Sequence, residues 1–543
     1  MKLLPYAITL DPGTSLANQT GSWRTSRPVY LDRLPPCNNA CPAGENIQNW
    51  LYHAEEGDYH AAWQKLMEDN PLPAVMGRVC YHPCEDACNR GHLDTSVGIN
   101  SVERFLGDQA LKYRWKPDFQ SEDSGKRVLV VGAGPSGLSA AYHLRRKGHA
   151  VTIREAGPMA GGMMRFGIPK YRLPREILDN EIQRIIDLGV TLQLDTKVED
   201  IDAEFMEEFD AIFIAVGAHL AKRVNIPAHA AGKILDAVGV LRDIETNEAP
   251  PQLGRRVIVY GGGNTAMDVA RTAKRLGADE AMIVYRRSRK EMPAHDFEAV
   301  EAEEEGIMIH WLRTIKQIDE TTFTVEKMRI DENGRPQPSG EFETLEADTL
   351  ILALGQDVDT SFLERVAGVA VARDGVVQVN DRMMTGCDGL FAGGDMVPSE
   401  RTVTVAVGHG KKAARNIDAW LRGEDYTPSA KNELASIDHL NTWYYDDAPK
   451  TVRPHLDLIR RQTSFDEVTK GLDEENALYE ARRCLSCGNC FECDNCYGIC
   501  PDNAVIKLGV GKRFEFNYDY CKGCGMCALE CPCGAIKMEP EDI

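Results

Sequence analysis

Two stretches of the chain show the same order of apolar and polar positions. Residues 126–157, "KRVLVVGAGPSGLSAAYHLRRKGHAVTIREAG", consist of an apolar run, a glycine turn, an amphipathic segment and a second apolar run. Residues 255–287, "RRVIVYGGGNTAMDVARTAKRLGADEAMIVYRR", repeat that order. Each stretch predicts a βαβ unit. The chain is therefore predicted to contain two nucleotide-binding units.

The sequences on either side of these units differ from them. Residues 1 to about 120 are rich in helix-forming residues and contain no clear strand. Beyond residue 420 the chain becomes polar and rich in Pro and Asp, as in "RGEDYTPSAKNELAS", which predicts a linker. A cysteine-dense tail follows this linker. At 543 residues the chain exceeds the ~250 to 300 residues at which a single core stops growing, so we expect several domains.

Composition excludes several classes of protein. The formal net charge of −21 disfavours binding to nucleic acid or to an anionic membrane surface. No run of about 18 apolar residues occurs, and Asp11 interrupts the N-terminal stretch before a signal-like apolar region forms. The composition predicts a soluble, cytoplasmic protein with no nucleic-acid partner and no membrane insertion.

The glycines of the first unit predict a dinucleotide site. Gly132, Gly134 and Gly137 permit a tight turn, the approach of backbone N–H groups to a pyrophosphate, and close packing of helix on strand. Glu155 ends the second strand, where an acidic side chain holds a ribose hydroxyl. A structural glycine turn is the alternative, and the complete strand–turn–helix–strand–acid context disfavours it. Gly394 and Asp395 follow a later apolar run, which is typical of a second flavin contact or of an ordinary strand exit.

The second unit carries the GxGxxA variant with Gly261 and Gly263. Its second strand ends in Arg286 and Arg287, where an acidic residue would favour NAD. Guanidinium groups at this position suit a 2'-phosphate, so the unit is predicted to bind NADP(H). A solvated basic strand end is the alternative interpretation.

The seventeen cysteines are bunched, which predicts metal ligation by thiolates rather than disulfides. In the tail, two runs spell C-x2-C-x2-C-x3-C-P, the pattern of bacterial ferredoxins. One [4Fe-4S] cluster would take three cysteines of one run and the last cysteine of the other. The predicted ligand sets are Cys490, Cys493, Cys496 and Cys531 for one cluster, and Cys521, Cys524, Cys527 and Cys500 for its neighbour. Zinc is the alternative, which the doubled run with both prolines disfavours. Cys484, Cys487 and Cys533 are left over and are interpreted as buried or free thiols.

The N-terminal cysteines predict a third cluster. Cys80, Cys84 and Cys88 recur every four residues, a helical spacing that places three sulfurs along one face, and Cys41 supplies a fourth thiolate. Cys37 either competes with Cys41 or takes no part. Three clusters correspond to about twelve irons per chain.

Several segments together resemble the small (beta) subunit of NADPH-dependent glutamate synthase and its relatives, over about residues 30 to 420. They are "PPCNNACPAGENIQ", "PLPAVMGRVCYHPCEDAC", "VGAGPSGLSAAYHL", "GGMMRFGIPKYRLP", "YGGGNTAMDVARTA" and "YRRSRKEMPA". The tail resembles an added ferredoxin module, as in the NAD(P)H:acceptor oxidoreductase subunit that accompanies sirohaem sulfite reductase.

The resemblance assigns roles to individual residues. Its FAD positions are Gly132, Gly134, Gly137, Glu155, Gly394 and Asp395, and its NADPH positions are Gly261, Gly263, Asn264, Thr265, Arg286 and Arg287. It also implies a second N-terminal cluster, with two cysteines five and eight residues before Cys37. Those positions hold Asp32 and Val29. Only Cys37 and Glu103 remain of that site, so we predict that this cluster is missing.

These features predict a multidomain fold with a helical iron–sulfur domain, two Rossmann-like α/β domains for FAD and NAD(P)H, and a C-terminal α+β bacterial ferredoxin-like domain. The predicted domains are residues 1–120 (helical iron–sulfur), 121–240 (first part of the FAD-binding domain), 241–345 (NADPH-binding), 346–420 (second part of the FAD-binding domain), 421–475 (linker) and 476–543 (two-cluster ferredoxin).

The predicted function is electron transfer between NADPH, FAD, [4Fe-4S] clusters and a partner enzyme. NADPH supplies a hydride whereas clusters carry single electrons, so a flavin must stand between them. No acid or base is needed for the hydride step, so no catalytic residue is predicted. The expected partner is a larger redox complex, of the sulfite-reductase or 2-oxoacid:acceptor oxidoreductase type, or a soluble ferredoxin. The alternatives are an electron-bifurcating subunit and a stand-alone flavin reductase of a small molecule.

Overall fold

The computed structural model of the chain describes residues 19–20, 24–206, 209–222, 224, 226–230, 233–246 and 251–541. The N-terminal stretch that contains Asp11 lies outside these residues. Among the helices that are described, none has the length and apolar character needed to cross a membrane.

The helices within the described residues vary from one turn to five turns. They are α1 Pro36–Ala40, α2 Ile47–Glu55, α3 Tyr59–Met67, α4 Pro73–Val79, α5 Pro83–Asp86, α6 Ile99–Tyr113, α7 Pro135–Arg146, α8 Met163–Phe166, α9 Arg175–Ile186, α10 Ile201–Met206, α11 Ala237–Thr246, α12 Asn264–Arg275, α13 Asp296–Glu304, α14 Val403–Leu421, α15 Leu458–Thr463, α16 Glu474–Arg482, α17 Asn495–Ile499 and α18 Met526–Leu529.

The strands within the described residues form two large parallel sheets and several smaller ones. They are β1 Ser26–Tyr30, β2 Arg127–Val131, β3 Ala150–Arg154, β4 Thr191–Gln193, β5 Ala211–Ile214, β6 Leu220–Ala221, β7 Ala228–Ala230, β8 Lys233–Asp236, β9 Arg256–Tyr260, β10 Glu280–Tyr285, β11 Met308–Trp311, β12 Arg313–Asp319, β13 Thr322–Ile330, β14 Pro336–Glu346, β15 Thr349–Leu352, β16 Gln356–Asp357, β17 Leu390–Ala392, β18 Val505–Lys507, β19 Phe514–Phe516 and β20 Ile536–Pro540.

The first large sheet has the strand order β17-β5-β2-β3-β4, and all its neighbours are parallel. Its central strands are buried along almost their whole length because helices cover the sheet, which explains the unbroken apolar runs in the sequence. Helix α14 crosses α7 at close range. A Cβ on Gly410 would lie 2.3 Å from the carbonyl oxygen of Ser136, so this crossing requires glycine.

The second large sheet has the order β11-β10-β9-β15-β8 and is also parallel. The chain leaves the first sheet after β5, builds the second sheet, and returns to the first at β17. An antiparallel ribbon of β12, β13 and β14 extends from the second unit and pairs with β7. The chain therefore passes between the two nucleotide units twice.

The N-terminal region contains a strand that the sequence pattern did not indicate. Strand β1 pairs antiparallel with β20, the last strand of the tail, from Ser26 opposite Pro540 to Tyr30 opposite Ile536. Its side chains therefore pack on the tail module, where Tyr30 stacks on Phe516 with ring centroids 4.6 Å apart. Residues 26–30 and 536–540 thus belong to one structural unit.

The segment predicted as a linker packs against the body of the molecule. The backbone N–H of Val468 donates to the carbonyl of Tyr171 at 2.9 Å, and Arg104 donates to the carbonyl of Thr469 at 2.8 Å. Arg461 on α15 is buried and lies 3.2 Å from a carboxylate oxygen of Glu305. The segment is therefore a strap that joins the second nucleotide unit to the N-terminal helices.

Candidate cofactor cavity and cysteine groups

A cavity of about 810 Å³ lies between the two nucleotide units. Most of the predicted nucleotide-binding residues line it. From the first unit these are Gly132, Gly134, Glu155, Gly394 and Asp395, and from the second they are Gly263, Asn264 and Thr265. One cavity therefore combines both predicted dinucleotide sites.

The glycine turn of the first unit has little room for side chains. Gly132 has a φ of +105°, and a Cβ there would lie 2.5 Å from the carbonyl oxygen of Ala215. A Cβ on Gly137 would lie 2.0 Å from the carbonyl oxygen of Gly132, so helix α7 packs directly on the turn. Helix α7 begins at Pro135 beside the cavity, which places its N-terminal backbone N–H groups where a pyrophosphate would bind.

The Glu155 carboxylate is fixed at the edge of the cavity by the backbone. One oxygen accepts a hydrogen bond from the N–H of Ala133 at 2.8 Å, and the other accepts from the N–H of Gly157 at 2.9 Å. Each carboxylate oxygen has a further lone pair, so both ribose hydroxyls can still donate to it. The backbone thus holds the carboxylate at the cavity with lone pairs free for hydroxyl donors.

Gly394 and Asp395 close the opposite side of the cavity. Gly394 has a φ of +74°, and its N–H donates to Nδ1 of His409 at 3.2 Å. Burial raises the pKa of Asp395 to about 6, because the charged carboxylate loses hydration there. A polyol chain whose hydroxyl groups donate hydrogen bonds to the Asp395 carboxylate would replace the hydrogen bonds to water that burial removes.

The second glycine turn also requires its glycine. Gly261 has a φ of +154°, and a Cβ there would lie 2.2 Å from the carbonyl oxygen of Ala353. Gly261 itself does not line the cavity, whereas Gly263, at the start of α12, does. Gly261 therefore allows the backbone to form the turn, and Gly263 leaves the N-terminus of α12 open to the cavity.

Asn264 connects the second unit to the N-terminal helical region. Its Nδ2 donates to the hydroxyl of Tyr81 at 2.6 Å, and its Oδ1 accepts from the N–H of His295 at 3.2 Å. The Tyr81 and His295 rings stack with centroids 3.7 Å apart. Sequence reasoning missed Tyr81, although its position directly after Cys80 was an available signal.

Arg286 and Arg287 follow β10 and stand apart from the residues that line the cavity. Arg286 is exposed and Arg287 is half-buried. The Nε of Arg287 is buried and has no hydrogen-bond partner among the described residues. This arrangement leaves both side chains available to a group that extends out of the cavity along the strand end.

Three N-terminal thiols share one small cavity, and we call them group A: Cys41, Cys80 and Cys84. The Glu103 carboxyl lines the same cavity. Two donors point at the Cys80 sulfur, the N–H of His82 at 3.2 Å and the hydroxyl of Thr404 at 3.1 Å. Burial raises the pKa of Glu103 well above its ordinary value, and nearby Glu45 adds to the effect.

The structure does not bring Cys88 into group A, contrary to the prediction from helical spacing. Helix α4 ends at Val79 and α5 spans only Pro83–Asp86, so no single helix carries the three cysteines. Cys88 lies beyond α5 and turns towards a second cavity.

That second cavity is lined by four cysteines, which we call group B: Cys37, Cys88, Cys484 and Cys487. Burial is the main cause that raises the pKa of Cys37 well above its ordinary value, and the other three thiols of the group raise it further. Two thiols that the sequence left without a role thus lie beside two from the N-terminal region.

The remaining tail cysteines lie in two further sets. Group C comprises Cys490, Cys493, Cys496 and Cys531, and group D comprises Cys500, Cys521, Cys524 and Cys527. Burial, together with the charges of the other three thiols of group C, raises the pKa of Cys496 to about 11, although the hydrogen bond from Tyr30 acts to lower it. Burial likewise raises the pKa of Cys527 to about 12, with the other group D thiols among the further causes. Cys531 therefore lies near the first run and Cys500 near the second.

Individual contacts support the same placement. The Tyr30 hydroxyl lies 3.2 Å from the Cys496 sulfur, so strand β1 reaches group C. The N–H of Ala504 donates to the Cys500 sulfur at 3.2 Å. Cys533 lies with its sulfur 3.8 Å from that of Cys531. The described residues contain no group of three or more His, Cys, Asp or Glu side chains arranged to hold a single metal ion.

Comparison with known families agrees with this arrangement. Residues 126–410 match the family described as pyridine nucleotide-disulphide oxidoreductase. The chain belongs to this family. It is therefore an oxidoreductase, and two further regions of this family member match iron–sulfur domains. Residues 25–115 match "Dihydroprymidine dehydrogenase domain II, 4Fe-4S cluster", and residues 514–537 match a 4Fe-4S binding domain.

Several curated members of the family are similar over most of the chain. The NADP(+)-dependent formate dehydrogenase subunit beta of Moorella thermoacetica is 37% identical over 83% of this chain and 70% of its own length. The NADPH-Fe(3+) oxidoreductase subunit beta of Geobacter sulfurreducens is 35% identical over 84% of this chain and 76% of its own length. The glutamate synthase [NADPH] small chain of Azospirillum brasilense is 33% identical over 73% of this chain and 88% of its own length. This last similarity confirms the predicted resemblance.

Proposed function

We propose that the chain is the NADPH-linked electron-transfer subunit of a larger redox complex. One observation carries this proposal. Val79 and Tyr81 line the dinucleotide cavity, whereas Cys80, between them, lines the cavity of group A. A flavin site and a thiol site thus share one short stretch of backbone, which is the arrangement that electron transfer between them requires.

The cavity residues fit FAD. The helix N-terminus of α7 suits the pyrophosphate, Glu155 suits the adenosine ribose, and Asp395 suits the hydroxyl groups of the ribityl chain. When bound, a flavin takes a hydride from NADPH and releases the two electrons singly to iron–sulfur clusters. The contribution of the protein is to hold the cofactors in place, and Thr404 and the N–H of His82 donate hydrogen bonds to the Cys80 sulfur beside the cavity.

We further propose [4Fe-4S] clusters at groups A, C and D. Groups C and D have the crossed arrangement of bacterial ferredoxins, in which the last cysteine of each run serves the other cluster. In group A the Glu103 carboxylate takes the fourth side of the cavity, because Cys88 faces elsewhere. The predicted cytoplasmic location stays a prediction.

The acceptor is proposed to be another redox protein. Similar proteins are named as subunits of a formate dehydrogenase and of an NADPH-Fe(3+) oxidoreductase. A complex of the sulfite-reductase or 2-oxoacid:acceptor oxidoreductase type, or a soluble ferredoxin, suits a chain whose tail is itself a ferredoxin-like module. Co-purification from the host followed by mass spectrometry identifies this partner.

The proposed function predicts that NADPH oxidation depends on a one-electron acceptor. Purified anaerobically with FAD and clusters, the chain should use NADPH to reduce a soluble bacterial ferredoxin. The reduced ferredoxin passes its electron to added cytochrome c, whose change in absorbance measures the rate. Rapid NADPH oxidation by a small organic substrate, with no transfer to ferredoxin, would instead indicate a stand-alone flavin reductase.

Arg286 and Arg287 are predicted to select NADPH over NADH. A charge-assisted hydrogen bond to the 2'-phosphate contributes ~1.5 to 3 kcal/mol, so Arg286→Ala or Arg287→Ala should weaken NADPH binding about tenfold. This is the lower end of the corresponding range, because Arg286 is exposed and salt screens its charge. Binding of NADH should barely change. Dissociation constants of both nucleotides for wild type and variants check this prediction.

Arg289 supplies the matched control, because its guanidinium is already held by Asp296 and Glu303. Arg289→Ala should leave both dissociation constants unchanged. Equal weakening of NADH and NADPH by Arg286→Ala would show that the side chain supports the fold or the pyrophosphate instead.

A further inference from the structure

Group B gathers cysteines from distant parts of the sequence around one cavity. Cys37 lies on α1, Cys88 lies after α5, and Cys484 and Cys487 lie in the turn after α16. Apolar side chains complete the wall of the cavity, including Leu51, Val97, Ile99 and Leu485. Four thiols in an apolar pocket constitute a complete donor set for a soft metal centre.

We propose that group B binds a further [4Fe-4S] cluster, shared between the N-terminal helices and the segment that leads into the ferredoxin-like tail. The site extends the proposed function, on which its role in electron transfer rests. The sequence pattern predicted that the second N-terminal cluster was missing because Val29 and Asp32 occupy the expected ligand positions. In the structure, Cys484 and Cys487 lie beside Cys37 and Cys88, and we propose that they replace the two cysteines missing at positions 29 and 32.

Helix α16 is held firmly enough to present these two cysteines. The N–H of Gly98 donates to the Glu480 carboxylate at 2.6 Å, which attaches α16 to the start of α6. Arg90 donates to the carbonyl of Arg483 at 3.1 Å, directly before Cys484. Ala477 and Ala481 of α16 belong to the same apolar core as α2 and α6. The packing of α16 and the hydrogen bond to the Arg483 carbonyl thus fix the position of Cys484.

The surroundings of the sulfurs suit a negatively charged cluster. Asn89 donates its Nδ2 to the Cys487 sulfur at 3.4 Å, and the N–H of Ser486 donates to the Cys484 sulfur at 3.4 Å. Hydrogen bonds of this kind set the properties of iron–sulfur clusters. Two buried guanidinium groups, of Arg90 and Arg483, lie near the thiols, and Asp94 pairs with both of them.

Members of group B lie close in sequence to members of groups A and C. Cys37 lies on α1 and Cys41 directly follows it. The N–H of Cys41 donates to the carbonyl of Cys37 at 3.1 Å, so groups A and B are joined by α1. Cys487 of group B precedes Cys490 of group C by only three residues. The N–H of Gly488, between them, donates to the carbonyl of Cys533 at 2.7 Å. A cluster in group B would thus connect group A with the tail.

Iron counting on the full-length, anaerobically reconstituted chain tests the proposal. Four clusters require about sixteen irons per FAD, whereas groups A, C and D alone require about twelve. Cys484→Ala and Cys88→Ala should each lower the count by about four irons, and the double variant should lose about four and not about eight. Cys387→Ala is the matched control, because Cys387 lies apart from all four groups, and it should retain the full count.

Three results would overturn the proposal. These are a wild-type count of about twelve irons, zinc in place of the additional iron, and unchanged iron in the Cys484→Ala variant. The wild-type count and the metal identity need no variant, so a variant that fails to fold does not decide the question; FAD content and thermal melting identify such a variant. Flavin bleaching by NADPH in the same sample tests the proposed function separately, because it does not require group B.

Discussion

Cys80→Ala should lower NADPH-driven reduction of a soluble ferredoxin by about 100-fold or more, since loss of even an outer partner of a metal site costs 10–100-fold. Cys80 lies between Val79 and Tyr81, which line the dinucleotide cavity, so it is the thiol placed nearest to the proposed flavin site along the chain. Reduction of the flavin itself by NADPH should stay within about twofold of wild type, because Cys80 does not line that cavity. Anaerobic stopped-flow absorbance separates the two steps.

Cys387→Ala again provides the control and should leave both rates unchanged. The Cys387 thiol donates a weak hydrogen bond to the carbonyl of Asp388, 3.9 Å away, and the residue packs against the apolar core of the first unit. If Cys80→Ala slowed flavin reduction and ferredoxin reduction equally, Cys80 would support the nucleotide cavity and not the onward path of the electrons.

Glu305→Gln should destabilise the chain by ~3 to 5 kcal/mol, because it leaves buried guanidinium groups without their carboxylate. Glu305 is fully buried and bonds Arg271 and Arg275 at 2.7 Å each. It also anchors the strap through Arg461. Chemical denaturation at neutral pH, followed by fluorescence and by release of FAD, measures the loss.

The pH dependence of this effect follows from the pKa of Glu305. Burial acts to raise that pKa, but the hydrogen bonds and charges of Arg271 and Arg275 outweigh burial and lower it to about 2, from an ordinary value of 4.5. The carboxylate therefore contributes fully to stability above about pH 4.5, and its contribution is lost as the pH falls towards 2. The difference between wild type and Glu305→Gln should shrink over the same range.

The neighbouring Glu304 gives a matched control for this prediction. It also pairs with Arg461, at 3.0 Å, but its side chain is half exposed. Glu304→Gln should therefore cost no more than about 1 kcal/mol. Equal effects of the two substitutions would show that burial of the charge network is not what holds the strap.

Local patterns in the sequence predicted the nucleotide units. Strands β2 and β9 are buried apolar runs that end at glycine turns, and such features depend on residues within a few positions of each other. Gly132, Glu155 and Asp395 come together because parallel strands bring their carboxyl ends to the same edge of a sheet.

The features that the sequence did not indicate depend on distant contacts. Strand β1 is stabilised by β20, more than 500 residues further along the chain, so its own pattern of side chains gives no sign of it. The spacing of Cys80, Cys84 and Cys88 imitates a helix, but proline at position 83 starts a new short helix and redirects the chain. The position of Cys484 depends on the docking of α16 against α2 and α6, which no local pattern encodes.

Oxidation of the prereduced chain by NADP⁺ tests most directly whether NADPH, flavin and clusters form one electron path. The reconstituted protein is fully reduced with a low-potential donor, separated from it, and mixed anaerobically with NADP⁺. A flavin alone supplies about one NADPH, because each NADPH takes two electrons and a proton, and the clusters supply one electron each. The account predicts a yield well above one NADPH per FAD, about three with four clusters, and reoxidised clusters. A yield of about one NADPH per FAD, with the clusters still reduced, would contradict it.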